Sequence, residues 1–165
     1  MKKTTAVLWI CICLSAIGLA QTKTAKGNAT TGGVTKALIQ ESLDAWSTMD
    51  TNKIAEYYSK ALENIFFDIA PMQYKGWEEW ARDVQNLFAD YKGFKFSLAN
   101  EPAIHNQGNW AWSTELWHVD AVHKDGKTET IDGRDTAVWQ KQGGKWLIVH
   151  EHDSVPLSMP AAENK

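Results

Sequence analysis

The hydrophobic pattern of the chain changes its period once, at Gly93, and this change most constrains the fold. Before Gly93 one unbroken stripe of apolar residues has the spacing of an amphipathic helix: Trp77, Trp80, Ala81, Val84, Leu87, Phe88 and Tyr91. After Gly93 apolar and polar residues alternate, and the Asp125-Gly126 turn signal separates two long segments, 110–123 and 127–141. Helices followed by consecutive hairpins predict an α+β domain, with the helices on one face of a curved antiparallel sheet.

The same patterns predict the remaining elements. Two more helices are expected at 34–49 and 52–59, with Thr35 capping the first. A short strand is expected at 64–69 and a last strand from Lys145 onward, which together with the segments after Gly93 makes a sheet of four to six strands. The prediction is therefore three N-terminal helices packed on one sheet.

Residues 1–20 resemble a targeting segment. Lys2 and Lys3 precede an uncharged apolar run that ends at Ala20, which predicts a secretory signal peptide that is too short for a comfortable membrane span. An uncleaved anchor is the alternative. We expect cleavage after Ala20, a secreted or periplasmic location and no membrane contact afterwards. Residues 21–33 are then a flexible linker, 34–158 the domain and 159–165 a tail.

Charge and cysteine content limit the possible partners. Cys11 and Cys13, the two cysteines of the chain, lie inside the predicted signal, so the mature protein offers neither disulfides nor thiolate ligands. Removing Lys2 and Lys3 while all 20 acidic residues remain changes the formal net charge from -3 to -5. This acidity argues against nucleic acid as a partner. No cofactor-binding motif is found, and we expect no cofactor.

The last strand ends in two histidines that alternate with two acids. Because successive side chains of a strand point to opposite faces, His150 and His152 share one face, and Glu151 and Asp153 share the other. A metal site at the histidine pair needs further ligands, which the remaining histidines cannot supply together, so none is expected. We expect the pair at a pocket mouth or dimer seam, hydrogen-bonded to neighbouring carboxylates.

Two strands carry a family resemblance. Residues 133–139 read GRDTAVW and residues 144–154 read GKWLIVHEHDS. They resemble the SnoaL-like branch of the nuclear transport factor 2 superfamily. They are also similar to the association domain of calmodulin-dependent kinase II, where a Thr-x-Val-Trp strand precedes a Gly-Lys-Trp…Val-His-x-His-x-Ser strand. The resemblance covers residues 34–157 and implies a cone-shaped fold.

The resemblance also suggests an enzymatic role at one position and argues against it at two others. Ketosteroid isomerases of the superfamily place a catalytic Asp after the short first strand, where Asp68 lies here, and burial among apolar neighbours would raise its pKa. Ser42 and Thr136 stand where those enzymes have their oxyanion-stabilising Tyr and Asp, so isomerase activity is not expected. The alternative for Asp68 is a cap of the turn before Pro71.

The kinase pocket is lined by arginines, whose positions correspond here to Trp117, Ala137 and Asp153. None of the three is basic, so the same mode of anion binding is not expected. We predict instead a binding protein for a small apolar or aromatic molecule, with a ligand site formed by Tyr58, Trp112, Trp117, Asp135, Trp139 and His150.

Two alternatives remain open at this point. The first is an isomerase, cyclase or lyase that acts on a carbonyl compound through Asp68 or His152. Of the two, His152 is expected to have a structural role and not a catalytic one. The second alternative is an oligomerisation module without a ligand. An aromatic outer sheet face also predicts a homodimer.

Overall fold

The computed structural model describes residues 32–157. The predicted signal peptide, most of the predicted linker and the predicted tail lie outside the described residues. The elements follow in chain order as α1 Lys36–Ser47, α2 Thr51–Ile54, β1 Ile65–Phe67, β2 Tyr74–Lys75, α3 Gly76–Phe88, β3 Tyr91–Leu98, β4 Ala103–Gln107, β5 Trp110–His123, β6 Thr128–Gln142 and β7 Lys145–Ser154.

The strands form one sheet in the order β2-β1-β7-β6-β5-β3, and β4 pairs with the first half of β5. Consecutive hairpins join β5, β6 and β7, as the turn residues predict. The three helices precede β3, and α1 packs on it. The predicted α+β architecture of three helices and a largely antiparallel sheet is confirmed.

The sheet differs from the prediction in two respects. It has seven strands instead of four to six, because β2 has only two residues and the mostly polar β4 lacks clear alternation. One pair is parallel: Phe66 of β1 lies opposite Glu151 of β7. Hairpin signals fix the direction only of strands that follow one another closely, and more than 70 residues separate this pair.

The core lies between the helices and the inner face of the sheet. Thr35 caps α1 as predicted, because its hydroxyl accepts a hydrogen bond from Leu38 N at 3.2 Å. The α3 stripe is buried through Trp77, Trp80, Val84 and Phe88. Trp80 meets Trp46 of α1 edge to face, with ring centroids 5.1 Å apart. This aromatic contact joins the two longer helices above the sheet.

The period-two pattern of β5 separates the two faces of the sheet. Ser113, Glu115 and Trp117 point inward and are buried, whereas Trp112 and Leu116 point outward with 44% and 47% of their surface exposed. The central strands therefore present polar and aromatic side chains to the helix side. Within residues 32–157 no helix has the length and hydropathy needed to span a membrane.

Candidate functional site

A cavity of about 540 Å³ lies between the helices and the inner face of the sheet. This volume lies within the range of small-molecule pockets, roughly 300–1,000 Å³. Its walls are mainly apolar, and seven of the lining residues are aromatic, among them Trp46, Tyr58 and Phe96. Two further lining residues, Ile69 and Leu87, have 49% and 46% of their surface exposed and mark the opening. The chain thus encloses a space that a small organic molecule can enter from solvent.

Three carboxyl side chains form a row across the sheet on the cavity side. Glu115 of β5 lies directly opposite Asp135 of β6, and Asp135 lies directly opposite Asp153 of β7. Glu151 precedes Asp153 by two residues and therefore faces the same way. Asp68, just after β1, lines the cavity as well. Five carboxyls thus face one enclosed space.

Two of these carboxyls accept short hydrogen bonds from aromatic side chains. The Tyr58 hydroxyl donates to Glu151 Oε2 and the Trp117 indole N–H donates to Asp153 Oδ1, each over 2.7 Å. Trp46 Nε1 donates in turn to the Tyr58 hydroxyl at 3.4 Å. The aromatic wall and the acidic floor of the cavity are therefore one connected hydrogen-bond network.

The network leaves several acceptors unsatisfied. Glu115 and Glu151 have only 5% and 3% of their surface exposed. Within residues 32–157, Glu115 Oε2, Glu151 Oε1 and Asp135 Oδ1 are buried and accept no hydrogen bond from another residue's N–H or hydroxyl, although a proton held by Glu115 or Asp135 can join those two carboxyl groups. Buried polar atoms are nearly always paired, since an unpaired one costs about 1–3 kcal/mol. These oxygens therefore indicate where a ligand group or water would bind.

Burial makes these carboxyls weak acids. Desolvation, reinforced by the charge of Asp68, raises the pKa of Asp153 to about 8, and desolvation raises the pKa of Glu115 to about 7. Desolvation and the negative charge of Asp153 also raise the pKa values of Asp135 and Glu151 well above the ordinary range. Some of these groups hold a proton near neutral pH and can donate hydrogen bonds while others accept them.

A missing side chain at Gly133 positions Trp117. A Cβ atom at Gly133 would lie 2.0 Å from Trp117 Cζ2, so the indole ring lies directly on the glycine backbone. The two residues are cross-strand partners on β5 and β6. In this position Trp117 Nε1 reaches Asp153. The glycine therefore sets both the shape of the cavity floor and one of its hydrogen bonds.

Asp68 lies at the edge of the cavity and also makes a local backbone contact. Its Oδ1 accepts a hydrogen bond from Ile69 N at 2.7 Å. Desolvation raises its pKa, while that hydrogen bond lowers it. Asp68 thus has both the raised pKa expected of a buried base and a local turn contact of the kind expected of a cap.

Ser42 and Thr136 stand where the isomerases have their oxyanion donors, but neither directs a hydrogen-bond donor into the cavity. The Ser42 hydroxyl donates to the Ile39 carbonyl at 2.7 Å. Thr136 lies opposite His152, on the outward face of β6. Its neighbour Asp135 faces the cavity instead, and Tyr58 provides the phenol. The cavity therefore contains a phenol and protonated carboxyls, although from different sequence positions.

His150 and His152 share one face of β7, as the alternation predicts, but this is the outward face, and Glu151 and Asp153 line the cavity on the other. Both imidazoles contact Phe67 edge to face, at 5.3 and 5.5 Å between ring centroids. His150 Nδ1 lies 2.6 Å from the Ile65 carbonyl oxygen. The expected carboxylate partners of the histidine pair are wrong: among the described residues both rings lie against Phe67 of the adjacent strand β1, and His150 meets a backbone carbonyl.

The predicted site residues separate into two groups. Tyr58, Asp68, Trp117 and Asp135 line the cavity together. The remaining four lie elsewhere, and none of them is among the residues that line it. Trp112 stacks on His105 on the exposed face of the sheet, with ring centroids 4.7 Å apart. Trp139 is fully buried and its indole N–H donates to Ser113 Oγ. His150 and His152 face outward.

Sequence reasoning did not assign Glu115, Glu151 or Asp153 to the site. The alternation of β7 already placed Glu151 and Asp153 on one face, and the inward side of β5 alternates Ser113, Glu115 and Trp117. The pattern did not show which face of these strands meets the helices. In the part of the chain that the structure describes, no group of three or more His, Cys, Asp or Glu side chains has the arrangement of a metal site.

The model of the SnoaL-like domain family matches residues 35–158 of the chain. None of the curated proteins is similar enough to match it. Among solved structures, a nuclear transport factor 2-like superfamily protein from Salmonella enterica serovar Typhimurium LT2 is similar, at 27% identity and a TM-score of 0.66. That similarity covers 77% of this chain and 94% of the other.

Two further structures are similar in fold alone. A protein assigned to the calcium/calmodulin-dependent protein kinase II association domain, from Xanthomonas campestris, has 21% identity and a TM-score of 0.64, covering 74% of this chain and 86% of its own. A protein assigned as a dehydratase of the same superfamily, from Streptomyces avermitilis, has 14% identity and a TM-score of 0.62, covering 70% and 88%. The expected cone-shaped fold is confirmed.

Proposed function

The chain belongs to the SnoaL-like domain family, and on this premise we propose that it binds a small apolar or aromatic molecule in the cavity. The observation that carries the proposal is an enclosed space of about 540 Å³ with aromatic walls and several buried, unpartnered carboxyl oxygens. Ligand pockets combine apolar walls with a few placed polar groups in this way. An oligomerisation module needs no such space, so the cavity favours a ligand.

The energetics of the empty cavity support the same proposal. Glu115 and Glu151 are almost fully buried, yet each has an oxygen without a partner among the described residues. A ligand that reaches these oxygens recovers part of the desolvation cost, and its apolar body removes the aromatic walls from water. These buried carboxyls lower the stability of the folded chain, as functional sites commonly do.

A thermal-shift screen of small hydrophobic compounds, followed by titration calorimetry of the hits, tests the proposal. Ile131→Trp places a large ring in the cavity and should abolish binding of every hit. Thr130→Trp places the same ring on the opposite, exposed face of β6 and should leave binding intact, because Ile131 lines the cavity and Thr130 does not. Binding that survives Ile131→Trp would place the ligand site elsewhere.

The second candidate function is an enzyme that moves a proton beside a carbonyl group. The observation that favours it is the raised pKa of Asp68, in the same cavity as the protonated carboxyls of the row. His152 faces away from the cavity, so Asp68 is the base in this candidate. Asp68→Asn should then remove turnover of a bound carbonyl compound while its affinity changes little.

We further propose that the protein is secreted or periplasmic, through cleavage of the signal peptide after Ala20. The support is the positively charged start and the uncharged apolar run of residues 1–20. Expression of the full chain with its signal, followed by N-terminal sequencing of the exported protein, should give Gln21 as the first residue. A protein retained in the cytoplasm with Met1 intact would contradict the proposal.

A further inference from the structure

We propose that the ligand of the cavity is an organic cation, in which an apolar or aromatic body carries an ammonium group or a similar positive charge. The inference rests on the proposed function, since it names the chemical class of the molecule that the cavity takes. It is drawn from the charge of the lining, the unpartnered oxygens and the aromatic faces around them.

The lining of the cavity is acidic and has no basic residue. Seven of the 25 lining residues are Asp or Glu, and among these described residues none is Lys, Arg or His. Only Asp83, among the lining acids of residues 32–157, has an ion-pair partner, which is Arg82 at 3.2 Å. Buried carboxylates are normally paired with a positive charge. The protein supplies none inside the cavity, so the buried carboxyls retain protons there, and a bound cation would let one of them ionise and pair with it.

The unpartnered oxygens are a second and independent observation. Glu115 Oε2 and Glu151 Oε1 belong to side chains that are more than nine-tenths buried, and both residues line the cavity. Oxygens of this kind accept hydrogen bonds from an ammonium group or attract a quaternary one electrostatically. An anionic ligand would be repelled by every lining carboxyl that is ionised and would find no basic residue to pair with, and a neutral hydrocarbon would leave the oxygens unpaired.

Three neighbouring aromatic rings line the same cavity as the carboxyls. Phe96 lies between Trp46 and Trp117, with ring centroids 5.6 and 5.9 Å away, and all three rings line the cavity. Cations bind to aromatic faces, most strongly to Trp, when both are removed from water. The carboxyls of the described residues are not arranged to chelate a metal ion. A lining of aromatic rings and carboxyls that are not arranged to chelate suits an organic cation better than an inorganic one.

Titration calorimetry with charge-matched compounds tests the inference. Benzyltrimethylammonium, its neutral carbon isostere neopentylbenzene and the anion phenylacetate share one ring and differ in charge, and the corresponding naphthylmethyl compounds repeat the comparison with a larger ring. The quaternary cations keep their charge at every pH. We expect each cation to bind at least about tenfold more tightly than its isostere, and the anions to bind most weakly.

Two variants locate the source of the charge preference. Glu151→Gln removes one buried carboxyl and should reduce the affinity for the cation about tenfold while the affinity for the neutral isostere stays within about twofold. Glu63→Gln makes the same carboxyl-to-amide change at an exposed position outside the cavity and should change neither affinity. If Glu151→Gln does not fold, as judged by its thermal melt, Glu115→Gln takes its place.

The outcomes separate this inference from the proposed function. Equal or tighter binding of the neutral isosteres would overturn the organic cation and leave the small-molecule site standing. Tightest binding of the anions would overturn it in the same way. If no compound of either ring size binds and the hydrophobic screen also gives no hit, both proposals are wrong. Equal loss of cation affinity in Glu63→Gln would assign the preference to overall charge and overturn the inference.

Discussion

The Tyr58 hydroxyl donates a 2.7 Å hydrogen bond to Glu151 Oε2 across 93 residues of sequence. Backbone contacts hold the two segments together: Ser59 N donates to the Ile148 carbonyl at 2.9 Å, and Ile148 N donates to the Tyr57 carbonyl at 2.7 Å. The segment after α2 is thereby joined to β7, the strand that carries Glu151. The contact fixes the phenol against the acidic floor of the cavity.

Tyr58→Phe should destabilise the protein by about 1–3 kcal/mol, because it leaves a buried carboxyl oxygen without its donor. The hydrogen bond from Tyr58 lowers the pKa of Glu151, so its loss should raise that pKa further. Urea denaturation measures the change. Tyr91→Phe removes a 2.7 Å bond to Glu129 at a more exposed site and should cost less. Equal losses in the two variants would contradict the role of burial.

Stability should fall as pH rises from about 5 to about 8. The unfolded carboxyls titrate near about pH 4, whereas those of the folded chain bind protons more tightly, with pKa values of about 7 for Glu115 and about 8 for Asp153. Their stabilising protonation is complete below the unfolded pKa and is lost as pH rises through the folded one.

The ionisable groups that face this cluster act together: Tyr58, Asp68, Glu115, Asp135, Glu151 and Asp153. The total loss should be on the order of a few kcal/mol. Denaturant unfolding across this range measures it. The exposed Asp125, whose pKa Lys127 lowers, is ionised in both the folded and the unfolded chain over this range and adds nothing to the slope. A flat or rising profile would contradict the raised pKa values.

Asp153→Asn should stabilise the protein at about pH 8 by roughly 1–3 kcal/mol, because the amide cannot ionise in a buried site. Its oxygen can still accept the bond from Trp117. At about pH 5 the gain should disappear, since the wild-type carboxyl is then protonated. Thermal melts at the two pH values test this. Asp125→Asn is the control and should give no gain at either.

Gly133→Ala should destabilise the protein by about 1–3 kcal/mol. The added Cβ would overlap the Trp117 ring, which must move and give up its bond to Asp153. Chemical denaturation and near-ultraviolet circular dichroism measure the two effects. Gly93→Ala is the matched control, because nothing lies within 4 Å of a Cβ at that position. A similar small effect in both variants would show that Trp117 repacks freely.

The outer face of the sheet should form a homodimer interface. Trp110, Trp112 and Leu116 have 49%, 44% and 47% of their surface exposed on one face of β5. Light scattering should give twice the mature mass, and Leu116→Lys should give a monomer. Leu87→Lys changes an equally exposed residue, at 46%, on α3 and should stay dimeric. A wild-type monomer would refute this interface.

Periodicity in the sequence was enough to predict α1, α3, the hairpins and the two faces of β7, whereas the helix expected at 52–59 is only the short helix Thr51–Ile54. It could not predict the cavity, because the face of β5 that meets the helices depends on contacts distant in the chain. Glu115 shows this limit: the pattern places it beside Trp117, but only the register with Asp135 and Asp153 creates the row. Asp68 was predicted from its correspondence to a catalytic position of the superfamily, and that prediction did not depend on the strand register.

The two edges of the sheet limit how this protein can associate with itself. One edge ends in β2, which has two residues and leads directly into α3. The other is divided between β4 and β3, and β3 carries the exposed lysines Lys92 and Lys95. Short and charged edges do not accept a further strand. If two copies associate through the outer face, as predicted above, they should form a closed pair whose growth stops there and does not continue into fibres.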